Sequence, residues 1–155
     1  MKEAFLIIVF CAFSFSGLYA AKREKRRIDL LGELERLLIF MKSEITLYRR
    51  ELFDIYSAFE SPLLDRSGFS QALGESDFAG AVEDLGLDVE SRRAFGELGA
   101  TLGMLPAEEQ KLAIDRCLST LGNILSRGRE EYPKKRKLYI SFGLMIGAII
   151  FIIGI

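Results

Sequence analysis

Residues 132–155 read YPKKRKLYISFGLMIGAIIFIIGI. Four cations stand without a break at Lys134, Lys135, Arg136 and Lys137, directly after Pro133, and no charge follows them. From Leu138 to Ile155 there are 18 residues, and only Ser141, Gly143, Gly147 and Gly154 interrupt the apolar run. A membrane helix needs about 17–25 such residues. Tyr132 and Tyr139 are placed to sit at an interface. The stretch 138–155 is therefore expected to be a transmembrane helix entered through a basic collar.

The other end of the chain mirrors it. Ala4 to Ala21, AFLIIVFCAFSFSGLYAA, is again 18 residues without a charge, and Lys22, Arg23, Lys25, Arg26 and Arg27 follow, offset only by Glu24. A secretory signal peptide carries its cations before the apolar run and a small residue three before the cut. Here only Lys2 precedes the run, cancelled by Glu3, and Leu18 stands at the small-residue position for a cut after Ala20. The stretch is read instead as a second membrane helix. Both collars lie on the side facing the middle of the chain, and cytoplasmic flanks carry the excess of Lys and Arg. The expected organisation is a transmembrane helix at 4–21, a cytoplasmic helical domain at 22–137 and a transmembrane helix at 138–155. Both short ends would point outward from the cell membrane.

The near-neutral total of 21 basic and 22 acidic residues hides an asymmetry. Residues 28–133 hold 11 basic and 20 acidic side chains, a net of −9, while each collar is +4. An acidic body gives no basic face for nucleic acid, and the collars suit anionic lipid headgroups. The run from Glu75 to Glu109 holds nine acids and two arginines. Glu75, Asp77, Glu83, Asp84, Glu108 and Glu109 are its candidate partner-binding residues, although ordinary solubility also accounts for acidic surface.

Between the collars the apolar spacing is helical. Ile28, Leu31, Leu34, Leu37, Leu38, Met41, Ile45, Tyr48 and Leu52 step by threes and fours. A second helix is expected over Leu52–Phe59. Ser61-Pro62 resets the backbone for a third over Pro62–Leu73, ended by Gly74. A fourth is expected from Ser76-Asp77-Phe78 to Leu87 and a fifth, capped by Asp88, from Val89 to about Leu102, stopped by Gly103. The last opens at Pro106, with Glu108 and Glu109 in its first turn and Ile114, Cys117, Leu118, Leu121, Ile124 and Leu125 as its stripe. Pro133 is expected to kink it. No segment alternates with period two for long. The fold class is all-α: a helical bundle body of about five to six helices, between two short transmembrane helices, the first and last body helices being antiparallel neighbours.

Reactive chemistry is sparse. There is no histidine, and the two cysteines, Cys11 and Cys117, form no CxxC. Neither GxxxxGK[ST], GxGxxG nor GxSxG occurs. Glu108, Asp115 and Lys111 stand at helical spacing and read as a charge-paired face, with Lys111 serving both acids. The spans carry no ionisable residue, which pumps usually need. Ala12 with Ser16, and Gly143 with Gly147, are small residues four apart; the second pair makes a GxxxG, which permits close helix packing, although ordinary glycine usage in membrane helices accounts for it more simply. No cofactor, metal or catalytic residue is expected, and the protein is read as a non-enzyme.

The order of features resembles the stage III sporulation protein AB family of endospore-forming bacteria. The resemblance rests on LLIFMKSEITLYRR (37–50), with Glu44 in its Lys-x-Glu-Ile segment, then on Leu98-Gly99-x-x-Leu102-Gly103 with Gln110, and on the collar and apolar tail. These are packing motifs. The chain departs from the family at Glu51-Leu52, where members often carry Pro-Leu. The resemblance implies a subunit of a secretion-like channel complex in the mother-cell membrane facing the forespore. It implies a body similar to the helical domain of the type II secretion F protein. The implied partners are an ATPase and membrane subunits of the same sporulation complex, and a platform of this kind suggests a homo-oligomer. The runner-up reading is a small pore or transporter subunit, against which the few serines of the spans form no polar stripe. A membrane-bound enzyme is a third, and the missing histidine and carboxylate pair weigh against it.

Overall fold

The computed structural model describes residues 2–47 and 51–154; within them the side chains of 2–7, 9, 10, 13, 14, 47, 151, 153 and 154 are not described. Among the described residues there are only helices: α1 (Lys2–Leu47), α2 (Leu52–Ala58), α3 (Pro62–Ser67), α4 (Phe69–Glu75), α5 (Phe78–Glu83), α6 (Val89–Gly99) and α7 (Ala107–Gly154). The chain divides into two compact units, residues 29–126 and residues 1–28 with 127–155.

The unit 29–126 is built on the α1 stripe. Leu31, Leu34, Leu37, Leu38, Met41 and Ile45 are buried as their spacing requires, and Leu30 joins them. Each such side chain contributes about 1.5–3 kcal/mol relative to exposure. From α7 come Ile114, Cys117, Leu121, Ile124 and Leu125. Lys42 of α1 pairs with Asp115 of α7, so Asp115 is served by another helix rather than by Lys111, which reaches only Glu108 at 3.9 Å. The short helices add an aromatic centre. Phe78 stacks on Tyr56 at 5.9 Å and meets Phe69 edge-on at 6.1 Å and Phe95 at 6.0 Å.

Several local breaks differ from the sequence expectation. Pro62–Leu73 is two helices, because Gly68 takes a left-handed backbone (φ 85°) that caps α3 through its N–H on Asp65 and Leu64 carbonyls. Only glycine adopts that conformation without steric cost. Gly74 does not end α4, which runs to Glu75. Helix α5 stops at Glu83 and α6 at Gly99, earlier than periodicity suggested. The last helix is continuous through Pro133. Asp88 is the N-cap residue of α6, but its carboxylate accepts from the Ser91 hydroxyl at 2.6 Å instead of a backbone N–H. Ser61 does cap α3, with Pro62 at its first position. Tyr48, expected on the first stripe, and the break at 49–50 lie outside the described residues.

In the other unit the two long helices are antiparallel. Ile28 lies beside Gly128, Glu24 pairs with Lys135, and the Gly17 backbone meets the carbonyl of Tyr139. Gly143 and Gly147 are buried while Phe142, Leu144, Met145 and Ile146 around them are exposed. The partner stripe on α1 is Gly17, Ala21, Glu24 and Ile28; Ser16 and Ala12, the pair the sequence suggested, are exposed. Among the described residues no helix is long and apolar enough to cross a membrane. The expected spans at 4–21 and 138–155 fall partly on side chains outside the described set.

Candidate functional site

Of the residues that carry the family resemblance, those from Leu98 to Gln110 gather around the α6–α7 turn. Leu98 and Leu102 are buried. Gly99 lies against α5: a Cβ built there would sit 2.8 Å from the Ala79 Cβ and 3.1 Å from its backbone N. Gly103 has φ 76°, the left-handed conformation that reverses the chain. Gln110, one turn into α7, holds that reversal with both ends of its amide. Its oxygen accepts from the Gly103 N–H at 3.3 Å, and its nitrogen donates to the Leu105 carbonyl at 2.6 Å. Glu44 is buried on α1. Leu98, Gly99, Leu102, Gly103 and Gln110 thus each have a mechanical place at or near one turn.

The six acidic candidates are spread over several elements. Asp77 is the N-cap of α5, accepting from the Gly80 N–H at 2.8 Å, and it has a structural duty whatever else it does. Glu75 accepts from Gln71 at 3.0 Å. Glu83 and Asp84 are exposed at the end of α5, and Glu108 and Glu109 are exposed in the first turn of α7. Among the described residues no group of three or more Cys, Asp or Glu could hold a metal ion.

The collar has an inner and an outer part. Lys22, Arg23, Lys25, Arg26, Lys134, Arg136 and Lys137 are exposed. Arg27 and Lys135 instead reach one carboxylate oxygen, Glu24 Oε1, at 2.9 and 3.5 Å, and Lys135 also meets Glu131 at 2.9 Å. The Lys135 hydrogen bond holds the Glu131 carboxyl below the usual carboxylate range, and Glu131 in turn holds the Lys135 ammonium above its ordinary value. The sequence reading treated Glu24 as a mere offset. Its signal was being the one acid inside a run of cations.

A second feature escaped the sequence reading. A groove of about 420 Å³ opens where α2, α3 and α4 meet α1. Leu37, Phe53, Tyr56, Phe59, Leu64, Phe69 and Leu73 supply its apolar surface, and Glu60 and Asp65 its acids. Its α3 and α4 walls are separate helices joined at Gly68, a break that periodicity does not reveal. Burial, aided by the charge of Asp77, raises the Tyr56 hydroxyl above its ordinary value. Cys117 is buried in the core, and burial with the nearby Glu97 charge pushes its thiol up to about 12.

These features define an all-helical protein whose singled-out residues pack, cap and pair ions. Residues 65–155 match the family of stage III sporulation protein AB, so the chain belongs to that family and is a stage III sporulation protein. The match begins in α3 and takes in the α6–α7 turn, Gln110 and the second collar. No curated protein and no solved structure matches the chain.

Proposed function

We propose that the protein is a non-enzymatic subunit of the sporulation complex between mother cell and forespore, a platform that couples a cytoplasmic ATPase to the membrane assembly. The observation that supports this reading best is the inside-out sorting of residues 1–28 and 127–155. Glycine and alanine lie in the seam, while Phe15, Leu18, Tyr19, Phe142, Met145 and Ile149 are exposed. In water so many large apolar side chains would form an association face. In lipid, small residues inside and large ones outside are the usual helix-packing solution. The exposed cations beside this sorted pair suit anionic headgroups, each worth roughly 1 kcal/mol near such a surface. The body then lies on the cytoplasmic side, where Lys and Arg flanks are retained.

A platform needs a rigid body and a face that meets its motor. The buried α1 and α7 stripes and the Gln110-braced turn supply the first, and the acidic side chains from Glu75 to Glu109 are the candidate for the second. The test uses the full chain in nanodiscs, titrated with the ATPase of the same complex, with association and ATP turnover read together. Binding with altered turnover is expected. Binding without it would reduce the role to a passive scaffold, and no binding at micromolar concentrations would refute the coupling role and favour the pore reading.

A further inference from the structure

The groove at α1–α4 goes beyond the coupling role, because it lies away from the Glu75–Glu109 acids except at its Gly74 edge. At about 420 Å³ it falls within the size of ligand pockets, about 300–1,000 Å³. Its polar groups, however, are engaged within the chain. The Ser57 hydroxyl donates to the Phe53 carbonyl at 2.9 Å, Ser61 to Glu33 at 2.9 Å, and Ser70 to Asp65. A small molecule would find few convergent polar groups to orient it. What the groove offers is aromatic and aliphatic surface, with Phe53 standing 74% exposed at its edge, and a lip carrying Glu60 and Asp65 with no cation among its lining residues. The wider segment 51–77 holds six acids and one base, Arg66. An apolar trench beside one sign of charge is the complement of a helix with apolar anchors on one side and cations on the other.

We infer that this groove is a docking site for a basic amphipathic segment of a partner protein. Apolar anchors of the segment enter between Phe53, Phe59 and Leu73, and its Lys or Arg side chains meet Glu60 and Asp65. The aromatic lining carries the affinity, as aromatic contacts do at interfaces. The acids set orientation and on-rate more than affinity.

The probe is a fluorescein-labelled peptide of about four helical turns, with Leu and Phe on one face and Lys and Arg on the other. Two companions accompany it: a scrambled peptide of equal charge without an apolar face, and one with Glu replacing its cations. Anisotropy is read against the full chain in zwitterionic nanodiscs, with empty nanodiscs as background. The amphipathic basic peptide is expected to bind at least about tenfold tighter than either companion. Phe53→Ala, at a side chain too exposed to carry folding, should weaken it about tenfold, and Glu60→Arg about twofold to fivefold. Leu112→Ala, at a comparably exposed residue elsewhere on the body (57% exposed), should leave it unchanged. Equal binding of the basic and scrambled peptides, or indifference to Phe53→Ala, would overturn the inference. So would self-association of the detergent-solubilised chain that Phe53→Ala abolishes, since the occupant would then be a second copy. ATPase binding in the preceding titration is read separately, so failure of the groove leaves the platform reading intact.

Discussion

Replacing Gly99 by alanine tests whether the α5–α6 contact is as close as the structure draws it. The added Cβ would meet Ala79 Cβ at 2.8 Å and the Ala79 backbone N and Cα at 3.1 and 3.3 Å. Backbone atoms of a neighbouring helix cannot rotate away, so the helices must separate. Overpacking of this kind costs about 1–3 kcal/mol. Because Gly99 is the last residue of α6, little of the roughly 1 kcal/mol propensity gain of alanine is recovered. The net expectation is a loss of about 1–2 kcal/mol, a factor of about 5–30 in the open population. Gly96 in the same helix is the control, since nothing lies within 4 Å of its Cβ position. Gly96→Ala should stabilise by about 0.4–1 kcal/mol. The built-in probe is Cys117, 4% exposed, read by a thiol-reactive dye in a Cys11→Ser background. At dye concentrations where reclosing outruns labelling, the rate follows the open population. Gly99→Ala should accelerate labelling and Gly96→Ala should slow it about twofold to fivefold. Equal or opposite responses would refute the α5–α6 packing.

Three further outcomes follow from the geometry. Gly103→Ala should cost about 1–2 kcal/mol through its left-handed backbone and Gln110→Ala about 1–2 kcal/mol through two lost hydrogen bonds; thermal melts of the double variant should show less than the sum, since both act on one turn. Tyr56 and Cys117 ionise more readily unfolded than folded, from ordinary values of 10.0 and 9.0, so their contribution is complete below about pH 9 and lost as pH rises toward 12. Denaturation midpoints of Tyr56→Phe and Cys117→Ser should therefore fall less steeply above that pH than those of the parent. Gly17→Leu should force α1 away from the Tyr139 carbonyl and slow disulfide formation between Glu24→Cys and Lys135→Cys, whereas Ser16→Leu, on the exposed side, should not.

The long elements were legible because their signals are long. Nine apolar positions from Ile28 to Leu52 share one helical phase, and most of the described ones are buried. Short helices gave weaker evidence. Between Pro62 and Glu75 the apolar spacing suits one helix as well as two, and the decision rests on the backbone of Gly68, which sequence leaves open. Pro133 lies inside α7, since one missing donor does not stop a helix that continues for many turns on both sides. The glycine pair at 143 and 147 is explained in sequence by ordinary glycine usage in apolar helices as well as by close packing, and the structure buries both. Ala12 and Ser16 matched the four-residue rule, but helical phase carries Gly17, Ala21, Glu24 and Ile28 to the seam. The groove had no sequence signal, since it lies among short helices whose packing no spacing pattern encodes.

Glu24 explains why a basic collar contains one acid. Arg27 and Lys135 come from different helices and converge on the same oxygen. Without that oxygen Arg27 and Lys135 would lose the anion they share, while Lys135 would keep Glu131 at 2.9 Å. Like charges drawn to one carboxylate repel each other, and their partial exposure, 28% and 39%, lowers that cost without removing it. The Glu24 carboxylate turns the repulsion into a clasp, with Glu131 as the second partner of Lys135, and seven other collar cations stay exposed. The collar therefore separates two duties that composition merges. The charge turned inward is neutralised and fixes the helices against each other, while the charge turned outward stays exposed, available to the anionic surface proposed above. A collar made only of cations could perform the second duty, but it would weaken the helix pair that carries it.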